Sequence, residues 1–204
     1  MRRALPLLLA CAGCAAQDGA VAEARRQPVG DTVTVEGVAT AGAAAVGAGF
    51  PLQDGAAGIF VLAGDSAAVR AGDRVRVTGT LAEEHGLLGI RPTALETLGR
   101  APLPPPEPVP TGGVGEATES RLLQVRGTVA GAVVDDRPYG WKVTVDDGSG
   151  PLLVFVTPAS GVDVSALRPG QRVRVVGVGG QYDDHHEVLP RAPADLAVEP
   201  RERR

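Results

Sequence analysis

The stretch AGDRVRVTGT, residues 71–80, returns in the second half of the chain as PGQRVRVVGV, residues 169–178. Within each copy apolar and polar residues alternate, so Val75 and Val77 lie on one face of the segment while Arg74 and Arg76 lie on the other. Strict alternation of this kind is typical of a half-buried β-strand. The repetition therefore predicts that one small β domain occurs twice.

Each copy places this strand fourth in a series of five short segments with strand character. Asp54-Gly55 and Asp147-Gly148 mark the turn between the second and third segments, and no crossover helix is evident. RPTALETL at 91–98 aligns without a gap with RAPADLAV at 191–198. Two copies do not make a solenoid, so the sequence predicts an all-β protein of two tandem five-stranded antiparallel barrels.

The spacing of these segments divides the chain into parts. Residues 29–99 and 113–200 are the two predicted barrel domains. Residues 100–112 join them as a linker whose proline density favours an extended spacer. An Ala-rich polar stretch at 17–28 is expected to be a flexible tether, and 201–204 is a short charged tail.

The N-terminus carries a targeting signal over residues 1–16. Met1-Arg2-Arg3 is basic, residues 4–10 are apolar, and Cys14 follows a small residue; the pattern resembles a bacterial lipoprotein signal. That resemblance implies acylation of Cys14, with Cys11 after Leu8-Leu9-Ala10 as the alternative, and a plain cleaved signal also remains open. It also implies secretion to the cell envelope and a lipid anchor at the periplasmic face of the outer membrane or at the cell surface.

The repeated segments resemble a known family of domains. LQDGAAGIFV at 52–61, VRAGDRVRVTGTL at 69–81 and EVLPRAPADLAV at 187–198 are similar to OB-fold domains of bacterial envelope and secreted proteins. These include modules that accompany extracellular nucleases. The resemblance implies OB-like barrels that bind ligands across strands 2 and 3, between the loop joining strands 1 and 2 and the hairpin joining strands 4 and 5. It implies a non-catalytic binding or adaptor module, with nucleic acid as the partner.

The second copy is the richer of the two at those positions. Arg137, Tyr139, Trp141 and Lys142 precede or begin its second strand, and Tyr182 begins its hairpin. Tyrosine and tryptophan rings can stack on the bases of single-stranded nucleic acid while basic side chains meet its backbone. Trp141 is also explained as a core aromatic of a domain poor in aromatic residues, which is the interpretation we favour.

The same hairpin holds a concentration of metal-ligating residue types. Asp184, His185 and His186 are candidates for a metal site, but adjacent residues of a strand point to opposite faces and cannot both bind one ion. A polar hairpin tip explains them better, so we predict no metal and no cofactor. The body after the leader contains no cysteine and no serine in a nucleophile turn, and we predict that the protein is not an enzyme.

Charge limits the choice of partner. The chain has a formal net charge of -4, whereas dedicated nucleic-acid binders usually present a basic surface. Arg74 and Arg76, with their counterparts Arg172 and Arg174, are expected to be solvated or paired with acids across strands. A glycan or an envelope protein therefore remains an alternative partner. The alternative functions are a structural or protein-interaction lipoprotein and an accessory module of a secreted hydrolase system.

Overall fold

The first barrel is formed by the five strands that the sequence predicts for the first copy. The computed structural model describes residues 20–55, 57–64 and 68–200. The strands are β1 (Thr32–Ala39), β2 (Phe50–Gln53), β3 (Gly58–Val61), β4 (Asp73–Glu84) and β5 (Leu87–Arg100). They close in the order β1-β2-β3-β5-β4, with β3 and β5 parallel and the other neighbours antiparallel. This five-stranded closed barrel has the architecture of the OB-fold.

The second barrel repeats that topology. Its strands are β7 (Leu122–Val129), β9 (Gly140–Asp146), β10 (Pro151–Val156), β11 (Arg172–Tyr182) and β12 (His185–Leu189). They follow one another as β7-β9-β10-β12-β11, and the pairing of β11 with β7 closes the ring. The parallel pair is again the third strand with the fifth. The prediction of two tandem five-stranded OB-like barrels is confirmed.

Shorter elements complete the chain. Three small strands are β6 (Glu107–Pro108), β8 (Val134–Asp136) and β13 (Leu196–Val198), and two short helices are α1 (Ala20–Ala24) and α2 (Ala43–Val46). Single 3-10 turns occur at Thr111–Gly113, Glu116–Thr118, Pro158–Ser160 and Pro193–Asp195. The last of these turns separates β12 from β13, so the final segment of the second copy is not one continuous strand as expected.

Period-two alternation explains how each barrel fills its interior. Val75 and Val77 of β4 and Val173 and Val175 of β11 are fully buried, as the repeated motif requires. On the outer face of β4, Arg74 and Arg76 both pair with Glu36 of β1, and Arg76 also pairs with Glu96 of β5. The RVRV motif is thus a strand signature whose arginines in the first copy are neutralised by acids on neighbouring strands.

The segment expected to be a flexible tether contributes to the first barrel. Residues 20–24 form α1, and Val21 and Ala24 are buried in the same core as Val33 and Val35. The amide of Val21 also donates to Asp54 Oδ2 at 3.0 Å. Apolar burial and this hydrogen bond order residues that an Ala-rich composition alone would leave free. The expectation of a free tether is therefore wrong for residues 20–24.

The proline-rich linker is likewise fixed against the second barrel. β6 pairs in parallel with β7, and Pro108 is tolerated because β6 is an edge strand. Thr111 lies three residues after Pro108, and its hydroxyl donates a hydrogen bond to Asp147 Oδ1 at 2.8 Å. Hydrogen bonds from Ser149 and Thr111 hold the pKa of the Asp147 carboxyl well below its usual range. The linker therefore joins the sheet of the domain that it leads into.

The two barrels pack against each other through a docking interface. Its apolar part comprises Ala41, Val46 and Phe60 of the first barrel and Val178 and Leu189 of the second. Three hydrogen bonds surround it: Leu122 N to Gln53 Oε1 at 2.9 Å, Thr157 Oγ1 to Ala45 O at 2.8 Å, and Arg191 Nη1 to Thr40 O at 2.8 Å. The outer face of β3 in the first barrel is consequently covered.

Candidate ligand-binding cleft

A cleft of about 370 Å³ opens on the outer face of the second barrel. It lies where OB-folds usually receive their ligands, on the second and third strands and between the two bordering loops. The strands are β9 and β10, which place Lys142 and Phe155 directly opposite each other. The loop after β7 and the β11–β12 hairpin supply the rest of the lining, namely Asp136, Tyr139, Tyr182, His185 and Glu187.

Planar rings dominate one side of the cleft. Tyr182 stacks on His85, which comes from the β4–β5 hairpin of the first barrel, with ring centroids 4.4 Å apart and planes 13° apart. The ring centroid of His185 lies 6.1 Å from that of Tyr182, with the two planes tilted by 47°. Tyr139 is 73% exposed, so its ring is free to meet a ligand. The cleft therefore offers flat, solvent-accessible ring surfaces.

The two hairpins that meet here hold the stacked pair in place. The Asp183 amide donates to the carbonyl of His85 at 2.7 Å, and His85 Nδ1 lies 3.0 Å from Asp183 Oδ1. Both residues have positive φ angles, 51° for His85 and 52° for Asp183, as tight hairpin turns require. The first barrel thus supports Tyr182, a ring that lines the cleft on the second barrel.

The charges in the cleft nearly balance. Lys142 Nζ lies 2.8 Å from Asp136 Oδ2, which neutralises the only lysine or arginine among the described lining residues. Burial raises the pKa of Glu187 to about 7, although His185 and Lys142 favour its charged form. A carboxyl with that pKa is only partly ionised at neutral pH. Ring stacking rather than attraction of phosphate is the chemistry that this lining supplies.

The structure gathers three of the five predicted binding residues. Tyr139, Lys142 and Tyr182 all line the cleft. Arg137 does not line it, because its guanidinium forms a bidentate pair with Asp135, whose pKa these hydrogen bonds lower to about 2. Trp141 shares the inward face of β9 with Val143 and Val145 and packs against the second core. The interpretation of Trp141 as a core aromatic agrees with this placement.

The three residues predicted as weak candidates for metal binding also lie in different surroundings. His185 and His186 are consecutive residues of β12, and His185 lines the cleft while His186 Nε2 lies 3.5 Å from Glu119 Oε1. Asp184 has a side chain 99% exposed at the hairpin tip. These three residues do not converge on one point. Cys14 and Cys11 lie outside the described residues.

Sequence reasoning missed the contributions from the first barrel and from the third strand. Phe155 could have been found, because alternation along β10 places it on the face opposite the buried Val154 and Val156. His85 carried no such signal, since its role depends on how the barrels dock. Alternation with the buried Val188 would place Glu187 on the outer face, yet Glu187 is also buried.

The corresponding face of the first barrel is not available for a ligand. Phe60 points outward from β3 into the docking interface, and Gln53 at the end of β2 is buried and hydrogen-bonded to Leu122. α2, in the loop joining β1 and β2, contributes Val46 to the same contact. The first copy uses its OB ligand face to hold the second copy.

No protein-family model matches the sequence, and no curated protein matches it. Solved structures with similarity include the p204 HINb domain, at 12% identity and a TM-score of 0.34 over 74% of this chain and 83% of that one. A deletion mutant of the single-stranded DNA-binding protein from Thermus aquaticus has 15% identity and a TM-score of 0.30 over 87% of this chain and 100% of that one.

A third structure, a murine DNA-binding protein bound to double-stranded DNA, has 10% identity and a TM-score of 0.32 over 76% of this chain and 86% of that one. Likeness at these values carries no argument about a ligand, so the fold assignment rests on strand order and pairing. Among the described residues, no helix is long and apolar enough to cross a membrane.

Proposed function

We propose that this chain is a non-catalytic binding protein whose second barrel takes single-stranded nucleic acid into the cleft. The observation that carries the proposal is the Tyr182–His85 ring stack beside the exposed Tyr139, at the position where OB-folds bind ligands. Each base has a flat face that can stack on such rings without regard to sequence. Bases therefore supply most of the binding free energy.

The charges explain why this mode fits an acidic protein. Arg74, Arg76 and Arg137 are all paired with carboxylates, and Lys142 is paired with Asp136. Among the described residues that line the cleft, no unpaired lysine or arginine is left to release counterions from phosphates. With one or two phosphate contacts, affinity for a single strand should fall only about three- to sevenfold between 50 and 200 mM salt.

Replacing Tyr139 or Tyr182 by alanine should weaken binding of a fluorescein-labelled oligo-dT by about 5- to 160-fold, because one stacked base is worth about 1–3 kcal/mol. Fluorescence anisotropy at 50 and 200 mM salt measures this directly. Arg137→Ala is the matched control, since Arg137 is exposed on the same loop but bound to Asp135. The proposal fails if the unaltered protein does not bind at 50 mM salt, or if Arg137→Ala abolishes binding while the tyrosine variants retain it.

We further propose that a lipid on Cys14 holds the protein in the bacterial cell envelope. The support is the basic start, the short apolar run and the small residue before Cys14. Mass spectrometry of the mature N-terminus should find a diacylglyceryl group on Cys14. Cys14→Ala should release the protein from membranes, whereas Cys11→Ala should not. An unmodified, cleaved N-terminus would contradict the anchor.

A further inference from the structure

Three metal-ligating side chains converge outside the cleft, on the side of β12 opposite to it. Glu116 begins the 3-10 turn that precedes β7, and Glu119 directly follows that turn. His186 belongs to β12. One ligand atom from each lies within 4.8 Å of the other two. We propose that Glu116, Glu119 and His186 form a binding site for one divalent transition-metal ion, with zinc the best fit.

The strongest observation is a pair of buried atoms without hydrogen bonds. Glu119 has a fully buried side chain, yet its Oε1 has no hydrogen-bond partner among the described residues, and neither does His186 Nε2. A buried polar atom of this kind is costly unless something binds it. Both atoms face the same point from two separate segments of the chain.

Their separation matches the geometry of a zinc site. Glu119 Oε1 and His186 Nε2 are 3.5 Å apart, which is too long for a good hydrogen bond. Two ligands of a tetrahedral ion at about 2.0–2.2 Å stand about 3.4 Å from each other. An ion between them would therefore bind both atoms with little movement of either segment.

The remaining groups define the rest of the site. The Glu116 side chain is 69% exposed, which leaves one side of the cluster open for the ion to enter and for a water ligand. Arg25 Nη2 donates to Glu119 Oε2 at 3.1 Å and to Glu116 Oε1 at 2.6 Å. Arg25 therefore holds both carboxyl groups in position. An imidazole nitrogen among the ligands favours zinc or a similar ion over calcium or magnesium.

The test is zinc binding by the full chain after treatment with EDTA and dialysis. Calorimetric titration with zinc chloride should show one equivalent bound and a rise in the melting temperature. His186→Gln and Glu119→Gln should each lower zinc affinity by more than about 100-fold, because even groups that only orient metal ligands are worth about 10- to 100-fold. Because two different ligands are replaced in separate variants, the test does not depend on either variant alone. Circular dichroism verifies that each variant is folded.

His185→Gln and Asp184→Asn are the matched controls, since these residues lie one and two positions before His186 in sequence but are absent from the cluster. Both should bind zinc as the unaltered chain does. Absence of zinc binding by the unaltered chain would overturn the proposal. Binding that survives in His186→Gln but is lost in the two controls would overturn it in favour of the hairpin tip.

Discussion

Replacing Arg25 by alanine is expected to destabilise the protein by about 1–3 kcal/mol, because it removes the hydrogen-bond donor of two backbone carbonyls and of the Glu119 carboxyl, whose pKa burial raises to about 7. Arg25 follows α1 in the first barrel and donates to Gly58 O at 3.2 Å, to Glu116 O at 3.0 Å and to the Glu119 carboxylate at 3.1 Å. The Glu119 side chain is fully buried. Urea unfolding in the presence of EDTA, followed by circular dichroism, measures the loss without any contribution from bound metal.

Arg26→Ala provides the control for the loss of a positive charge at the same place. Arg26 is exposed and next to Arg25, so its replacement should change the free energy of unfolding by no more than about 0.5 kcal/mol. Equal, small effects of the two substitutions would contradict the role that we assign to Arg25.

Replacing Gly58 by alanine is expected to push the two barrels apart. A Cβ atom at this position of β3 would lie 2.4 Å from both the carbonyl carbon and the oxygen of Ser120. Those atoms belong to backbone, so no side-chain rotation relieves the clash. Ser120 is itself held by a 2.7 Å hydrogen bond from its amide to Gly179 O. The cost should be about 1–3 kcal/mol or more, as in other overpacked sites.

The separation of the barrels has a second, more specific readout. The only tryptophan, Trp141, lies in the second barrel and reports the unfolding of that barrel alone. In Gly58→Ala its transition should no longer coincide with the transition seen by circular dichroism. Gly55→Ala is the control, because a Cβ there meets nothing within 4 Å. Coincident transitions with unchanged stability in Gly58→Ala would show that the docking interface does not depend on this close contact.

The two copies have the same fold but present different residues on the same face. In the first copy the outward residue of β3 is Phe60, which packs against Val178 and Leu189 of the second copy. In the second copy the equivalent face carries Lys142 and Phe155 and stays open as the cleft. Duplication followed by different use of one face explains why the core valines repeat and the ligand-face residues do not.

The barrels could be predicted from the sequence because their signal is local. Alternation in β4 and β11 reports burial on one side of a strand, and turn glycines mark where the strands end. The same rule would have assigned Trp141 inward, since it shares its parity with the buried Val143 and Val145. Of the five candidate residues, Arg137 and Trp141 lie outside the lining of the cleft: a core role was already the favoured interpretation for Trp141, and the pairing of Arg137 with Asp135 was not predicted.

The remaining parts of the site depend on contacts between distant segments. His85 meets Tyr182, and Glu119 meets both Arg25 and His186, only after the barrels have docked. No periodicity within either copy encodes these pairs. α1 was missed for a related reason, since one valine in an Ala-rich stretch gives too little pattern to show that Val21 enters the first core.

The most direct test of the proposed binding mode is ultraviolet cross-linking of the full chain to oligo-dT, followed by identification of the cross-linked peptides by mass spectrometry. The structure predicts cross-links at Tyr139 and Tyr182, and their loss when the matching tyrosine is replaced by alanine. Cross-links confined to the Arg74 and Arg76 face of the first barrel, or none at all, would contradict binding in the cleft.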